Sequence, residues 1–184
     1  MKYQRAADWY LLRTCNYRCT YCFFSDSFLG SKLKPIASAS EWRDAFCSTG
    51  QTWLLHLTGG EPSIYPDFPE LCDLLSQDHY LSVNSNLTHP SINSFAERVH
   101  PSRVHYVNAG LHPTERSRHS GYSQFIRHAD LLRKKGFPLF VSLVATPDVL
   151  ARFEDSITLL RSSGLFPIPK LLRGNYNGLS FPKG

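Results

Sequence analysis

Cys15-Asn16-Tyr17-Arg18-Cys19-Thr20-Tyr21-Cys22 puts three cysteines into eight residues, spaced C-x3-C-x2-C. So compact a triplet is built to face one inorganic centre. A structural zinc site wants four protein ligands. An iron–sulfur cube also wants four, but it can be held by three thiolates when another group binds the remaining iron. Three cysteines with no fourth nearby therefore imply an open position, and an open position implies a ligand that reacts.

The residues on either side set the frame. Residues 7–13, Ala-Asp-Trp-Tyr-Leu-Leu-Arg, read as a first strand that runs into the cysteine loop. Gly30 to Pro35 reads as a polar connector. Ser38 and Glu41 have capping-box spacing, which starts a helix that Gly50 ends. Trp53–Leu57 is a second strand, and it runs into Thr58-Gly59-Gly60-Glu61-Pro62. Phe68, Leu71, Cys72 and Leu75 recur at helical spacing. Tyr80–Val83 is a third strand ending in Asn84-Ser85-Asn86; a short helix from Pro90 to His100 follows. Arg103–Val107 is a fourth strand, ending in Asn108-Ala109-Gly110-Leu111-His112. Tyr122, Phe125, Ile126, Ala129 and Leu132 mark a helix that Gly136 stops, before a fifth strand at Leu139–Val144. Thr146 and Pro147 open a helix with a core stripe of Leu150, Phe153, Ile157 and Leu160. Leu165–Leu172 is a sixth strand whose Pro167 and Pro169 suit a sheet edge. Residues 174–184 show no periodicity.

Strand–helix alternation predicts an α/β fold with a parallel sheet and outer helices. The strands read as near-continuously apolar, as parallel strands do. Polar and glycine-rich residues gather where each strand stops, which is where parallel α/β folds carry their sites.

Composition narrows the class. The chain has 184 residues, 42% hydrophobic and 19% charged, an ordinary globular mix that excludes disorder. No apolar run approaches the roughly 18 residues of a membrane span. Met1-Lys2-Tyr3-Gln4-Arg5 leads straight into strand-like sequence, so no signal peptide is expected and the cytoplasm is favoured. The net charge of +5 is scattered, apart from Arg133-Lys134-Lys135 at a helix end. That pattern predicts no nucleic-acid interface; it suits a solvated face or an anionic partner or substrate. Of the five cysteines, Cys47 and Cys72 fall on helices and read as small buried hydrophobes. Trp42 and Trp53 read as core, and His56 as a satisfied histidine inside strand two.

Together, the triplet with Tyr21 before its last cysteine, and Gly59-Gly60-Glu61-Pro62 after strand two, resemble the radical S-adenosylmethionine enzymes. The likeness covers about residues 7 to 173. It implies a partial (β/α)6 TIM-like barrel with parallel strands, a single domain over 1–184 with 174–184 an irregular tail. It implies one 4Fe–4S cluster held by Cys15, Cys19 and Cys22, with S-adenosyl-L-methionine on the unique iron. Reductive cleavage of that cofactor would give a 5′-deoxyadenosyl radical that abstracts hydrogen from an unidentified substrate, a small molecule or a peptide. In the family the Gly59-Gly60 turn meets the methionine ammonium, Glu61 and Pro62 hold the turn, and Tyr21 lies near the adenine. Asn84 and Asn86 are placed for the ribose or the methionine carboxylate, and Lys170 for a carboxylate. Many members carry a serine or an acid at the end of strand four; here the stretch ends in His112, which is expected to face substrate or to shape a loop. A reductant such as flavodoxin or ferredoxin is implied.

Other readings of the same residues are a zinc site completed by a histidine, a redox-active cysteine pair, a non-catalytic iron–sulfur or metal-binding module, and an activase of a glycyl-radical enzyme. Gly59–Pro62 has no role in the zinc reading, and C-x2-C alone would serve the redox pair.

Overall fold

The computed structural model describes residues 2–30, 35–119 and 121–181. Its centre is a six-stranded sheet of β1 (Arg5–Leu12), β2 (Trp53–Gly59), β3 (Tyr80–Ser85), β4 (Val104–Gly110), β5 (Leu139–Val144) and β6 (Pro167–Lys170). The strands lie in chain order, and every neighbouring pair is parallel. Helices carry the chain back each time. These are α1 (Asp26–Leu29) and α2 (Ala39–Cys47), then α3 (Phe68–Asp78), α4 (Ser91–Arg98), α5 (Pro113–Arg118) with α6 (Tyr122–Lys134), and α7 (Pro147–Ala151) with α8 (Phe153–Arg161). Winding one way around a twisted parallel sheet curls it into a barrel. Strands β1 and β6 are its two edges and do not pair with each other, so the barrel is partial.

The strands alternate more than their composition suggests. One face presents Leu55, Leu57, Leu81, Val83, Val107, Ala109, Val141 and Leu143 to the helices, and all are buried in the core. The other face carries Asp8, His56, Ser82 and Tyr106 in one tier, Tyr10, Thr58, Asn84, Asn108 and Phe140 in the next, and Gly110 with Ser142 beyond it, as the strand registers require. That polar face lines the concave side. His56 sits there, bonded to Ser82, with Tyr106 stacked beside it.

Local rules account for most boundaries. The Ser38–Glu41 capping box is present, with both reciprocal bonds. Trp9, Trp42 and Phe46 pack α2 against β1, with ring centroids 4.7 and 5.3 Å apart for Trp9 to Trp42 and to Phe46. Cys72 is fully buried on the α3 stripe.

Three expectations are corrected, and a fourth falls mostly outside the described residues. Cys47 is exposed, near Asp78 and His79, because α2 ends there and turns that position outward. Leu150 is 50% exposed, because the helix after Thr146 breaks at Arg152 into α7 and α8 and the two pieces lose a common stripe. The connector beginning at Gly30 is preceded by a short helix, and residues 31–34 lie outside the described residues. The tail is not irregular over its described part. β7 (Gly174–Tyr176) and β8 (Leu179–Phe181) form an antiparallel hairpin. Its two-residue loop, Asn177-Gly178, has φ of 49° and 76°, the doubly left-handed turn that Asn-Gly favours. Residues 182–184 lie outside the described residues. No helix among the described residues is long and apolar enough to cross a membrane.

Phe95 is buried between Phe68 and Phe137, with ring centroids at 5.6 and 5.3 Å. Phe95→Ala should cost about 3–5 kcal/mol in urea unfolding, whereas Ile36→Ala, at an exposed residue, should stay within about 0.5 kcal/mol.

Candidate active site

A cavity of about 690 Å³ opens at the carboxyl ends of the strands. Cys15, Cys19 and Cys22 line it together with Gly59, Gly60, Tyr21, Asn84, Asn86, His112 and Lys170, so the sequence candidates meet in one place. Pro62 stands just behind the wall, buried at the first position of a short 3₁₀ turn that Glu61 caps.

Glu61 is the hub of that wall. It is buried, and its Oε1 accepts from the Ser63 amide at 3.0 Å, the Ser63 hydroxyl at 2.6 Å and the Ser85 hydroxyl at 2.6 Å. Its Oε2 accepts from the Asn86 amide at 2.7 Å. One carboxylate thus joins the turn after β2 to the end of β3. On the other side, the Gly60 and Glu61 amides donate to the Leu12 and Thr14 carbonyls, both at 2.9 Å, just before the first cysteine. A Cβ at Gly60 would overlap the Thr14 carbonyl, so the diglycine allows close approach of the chain to itself.

Asn86 also faces inward to hold loops. Its Nδ2 donates to Asn16 Oδ1 at 2.9 Å, and its Oδ1 accepts from the Thr88 amide and hydroxyl. Asn16 in turn donates to Thr88 at 2.7 Å, so the cysteine loop is tied to the end of β3. Asn84 is more open. Its Oδ1 accepts from Asn108 Nδ2 at 2.8 Å, and Ser142 donates to Asn108 Oδ1 at 2.6 Å, a chain of side chains across β3, β4 and β5.

Helix α5 was not legible as such, although Pro113 at its first position and Glu115 in its first turn were available signals. It carries three positioning groups. His112, at φ 47° and ψ 63°, precedes it in the left-handed region, and its Nδ1 lies 2.8 Å from the Tyr21 hydroxyl and 3.4 Å from Cys19 Sγ. Burial first, then the Arg116 and Lys170 charges, push this imidazole down to about 3 and keep it neutral. Glu115 accepts from the Arg18 amide at 3.0 Å, gripping the cysteine loop from below. Arg116 is fully buried and has carbonyls for partners: Gly110 at 2.8 Å, Gly121 at 3.4 Å, and Leu111 and Asn86. The guanidinium lies 4.0 Å from the Phe125 ring centroid, and desolvation lowers its pKa to about 10. His112 therefore shapes a loop and also faces the cysteines. Lys170 reaches the cavity from edge strand β6, its Nζ 5.6 Å from the Phe140 ring centroid. A second cavity of about 490 Å³, outside the barrel between α5–α6 and α7–α8, holds none of the sequence candidates.

The three thiols suit a cluster better than a single ion. Burial is the largest influence on each, pushing Cys15 up to about 11, Cys19 up to about 12, and Cys22 upward. Metal binding would have to displace those protons. Among the described residues, no three His, Cys, Asp or Glu side chains converge on a single-ion geometry. Thiolates on separate corners of a cube need only face one volume, and these three do. The cavity also has the size of an ordinary small-molecule pocket.

A family model described as the Radical SAM superfamily matches residues 9–160. An S-adenosylmethionine-dependent nucleotide dehydratase of Thermoplasmatales archaeon (strain ISO4-H5) is 34% identical over 85 residues, which are 45% of this chain and 29% of that protein. GTP 3′,8-cyclase 1 of Mycobacterium tuberculosis (strain ATCC 25618 / H37Rv) is 37% identical over 65 residues, 34% of this chain and 18% of that protein. The fold is similar to native anSMEcpe with bound AdoMet, with a TM-score of 0.67 at 18% identity over 94% of this chain and 54% of that one. It is also similar to Streptococcus suis SuiB bound to precursor peptide SuiA, with a TM-score of 0.64 at 14% identity over 91% of this chain and 39% of that one. The chain thus spans about half the length of the first of these structures, and its alignments cover under a third of the curated relatives.

Glu61→Ala strands four buried donor groups at the base of the turn. It should lower stability by about 2–5 kcal/mol in chemical denaturation, since each orphaned donor costs about 1–3 kcal/mol and the site relaxes in part. Gly60→Ala should break the bonds to Leu12 and Thr14 and lower cluster loading in parallel, read as iron bound per chain.

Proposed function

The chain belongs to the radical SAM superfamily, and we propose that it is a radical SAM enzyme that works through one 4Fe–4S cluster and S-adenosylmethionine. The observation that carries this is that the three cysteines and the diglycine turn, apart in sequence, line one cavity at the strands' carboxyl ends. When bound, the cluster and S-adenosylmethionine supply a one-electron reductive cleavage that yields a 5′-deoxyadenosyl radical able to take hydrogen from an unactivated C–H bond.

The chain's own residues do the positioning. Cys15, Cys19 and Cys22 would ligate the cluster, held in place by Glu115 at the Arg18 amide and by Asn86 at Asn16. The Gly59–Gly60 turn offers backbone to the methionine end of the cofactor, and Glu61 fixes that backbone from behind. Tyr21 stands beside the cysteines, with His112 oriented by its hydroxyl, and offers its ring to the adenine. Asn84, at the head of the Asn108–Ser142 chain, presents its amide to the ribose. Phe23, Phe24 and Leu29 form an apolar side of the cavity that limits water around a reactive radical. The electron comes from a small reductant of the flavodoxin or ferredoxin kind. The curated relatives are named for nucleotides, and one structural neighbour holds a peptide.

Anaerobic reconstitution with iron and sulfide should give about four iron per chain, the content of one cube. Under reducing conditions with S-adenosylmethionine the protein should release 5′-deoxyadenosine. Cys19→Ala should lose both. A Cys19→Ala protein that keeps a full cluster and still makes 5′-deoxyadenosine would refute the assignment.

A further inference from the structure

The cavity has a lopsided charge inventory. Its lining includes one carboxylate, Glu61, whose oxygens are taken by Ser63, Ser85 and Asn86. It includes two cations, Lys170 at the end of β6 and Arg173 just beyond it. Among the described residues, neither has a carboxylate within ion-pair distance. Several of the chain's other cations are engaged. Arg43, Arg98, Arg118, Arg133 and Lys134 meet carboxylates, and Arg18 and Arg116 meet backbone carbonyls. Lys170 and Arg173 instead share the mouth with Leu171, which is 83% exposed, on the edge strand that no further strand covers.

Both side chains are exposed at the cavity mouth, so an arriving anion would meet two cations that no carboxylate of the described residues holds. Desolvation already presses the Lys170 ammonium toward its neutral form. S-adenosylmethionine does not balance them. It brings two positive groups, a sulfonium and an ammonium, and one carboxylate, which in the family reading is occupied at the metal. An oxyanion would balance them, and an arginine fork beside a lysine point charge is well suited to phosphate or carboxylate.

We propose that Lys170 and Arg173 form a subsite for an oxyanion of a small-molecule substrate, carried as phosphate or carboxylate, and so fix which part of that substrate enters the barrel. This rests on the radical-enzyme reading only in naming the ligand a substrate; the anion site itself needs no cluster.

The test is calorimetric titration of the anaerobically purified chain, with and without reconstitution, using inorganic pyrophosphate in one arm and citrate in the other. Wild type should bind at least one of the two, more weakly as salt is raised. The stronger arm identifies the group as phosphate or carboxylate. Lys170→Gln/Arg173→Gln should weaken that binding at least about tenfold, the loss expected for one or two charge-assisted hydrogen bonds. Arg152→Gln removes one positive charge from the outer surface and should leave binding within about twofold. The proposal is overturned if neither anion binds, if the double variant binds as wild type does, or if Arg152→Gln weakens binding equally. Failure of the two readings is distinguishable. Anion binding through this pair without 5′-deoxyadenosine from wild type would sink the radical reading alone. 5′-deoxyadenosine from wild type, with a double variant that binds anion normally, would sink the subsite alone.

Discussion

A carboxylate taken out of water is costly unless donors surround it. Glu61 is 2% exposed and is met by two amides and two hydroxyls. That single arrangement fixes the diglycine turn against the end of β3. Through the bonds of Gly60 and Glu61 to Leu12 and Thr14, it also fixes where the cysteine loop begins. The position of the sulfurs therefore depends on a group that touches none of them by hydrogen bond. The chemistry of the wall is rigid because its charge has nowhere else to go.

The opposite wall follows another logic. Arg116 has no carboxylate partner in its pocket; it gathers carbonyls from the ends of β3 and β4 and from the turn before α6, between the Tyr17 and Phe125 rings. Helix α5 then sets Glu115 under Arg18 and His112 against Tyr21 and Cys19. Glu115 thus holds the cysteine loop at the Arg18 amide, while Arg116 gathers the backbone around the ends of β3 and β4. One organises donors, the other organises acceptors.

Much of this was legible. Strand β5 and the start of α2 read out at their observed limits, because apolar runs and capping residues act locally. The cysteine triplet and the diglycine turn were visible because their spacing is itself chemical. What was missed depends on long-range partners. Asn86 reads in sequence as either a ligand or a turn residue; its side-chain amide meets Asn16 and Thr88, and no periodicity encodes those partners. Nothing in the sequence singles out Arg116, since burial among carbonyls leaves no local mark. The polar chain of Asn84, Asn108 and Ser142 has no signal within any one strand: Asn84 and Asn108 meet as register partners, and Ser142, opposite Gly110, reaches Asn108 diagonally. The terminal hairpin differs in kind: its Asn177-Gly178 signal is local, but the three-residue strands beside it are too short to show a period.

The strand order has a kinetic side. A closed barrel has to bring its first and last strands together, a loop closure that spans the whole chain and is slow because the entropy is lost before any contact is gained. Here each strand pairs only with the one before it and the one after it. Assembly can therefore proceed by successive addition of a strand and its helix to an existing edge, with no late step that waits for distant segments to meet.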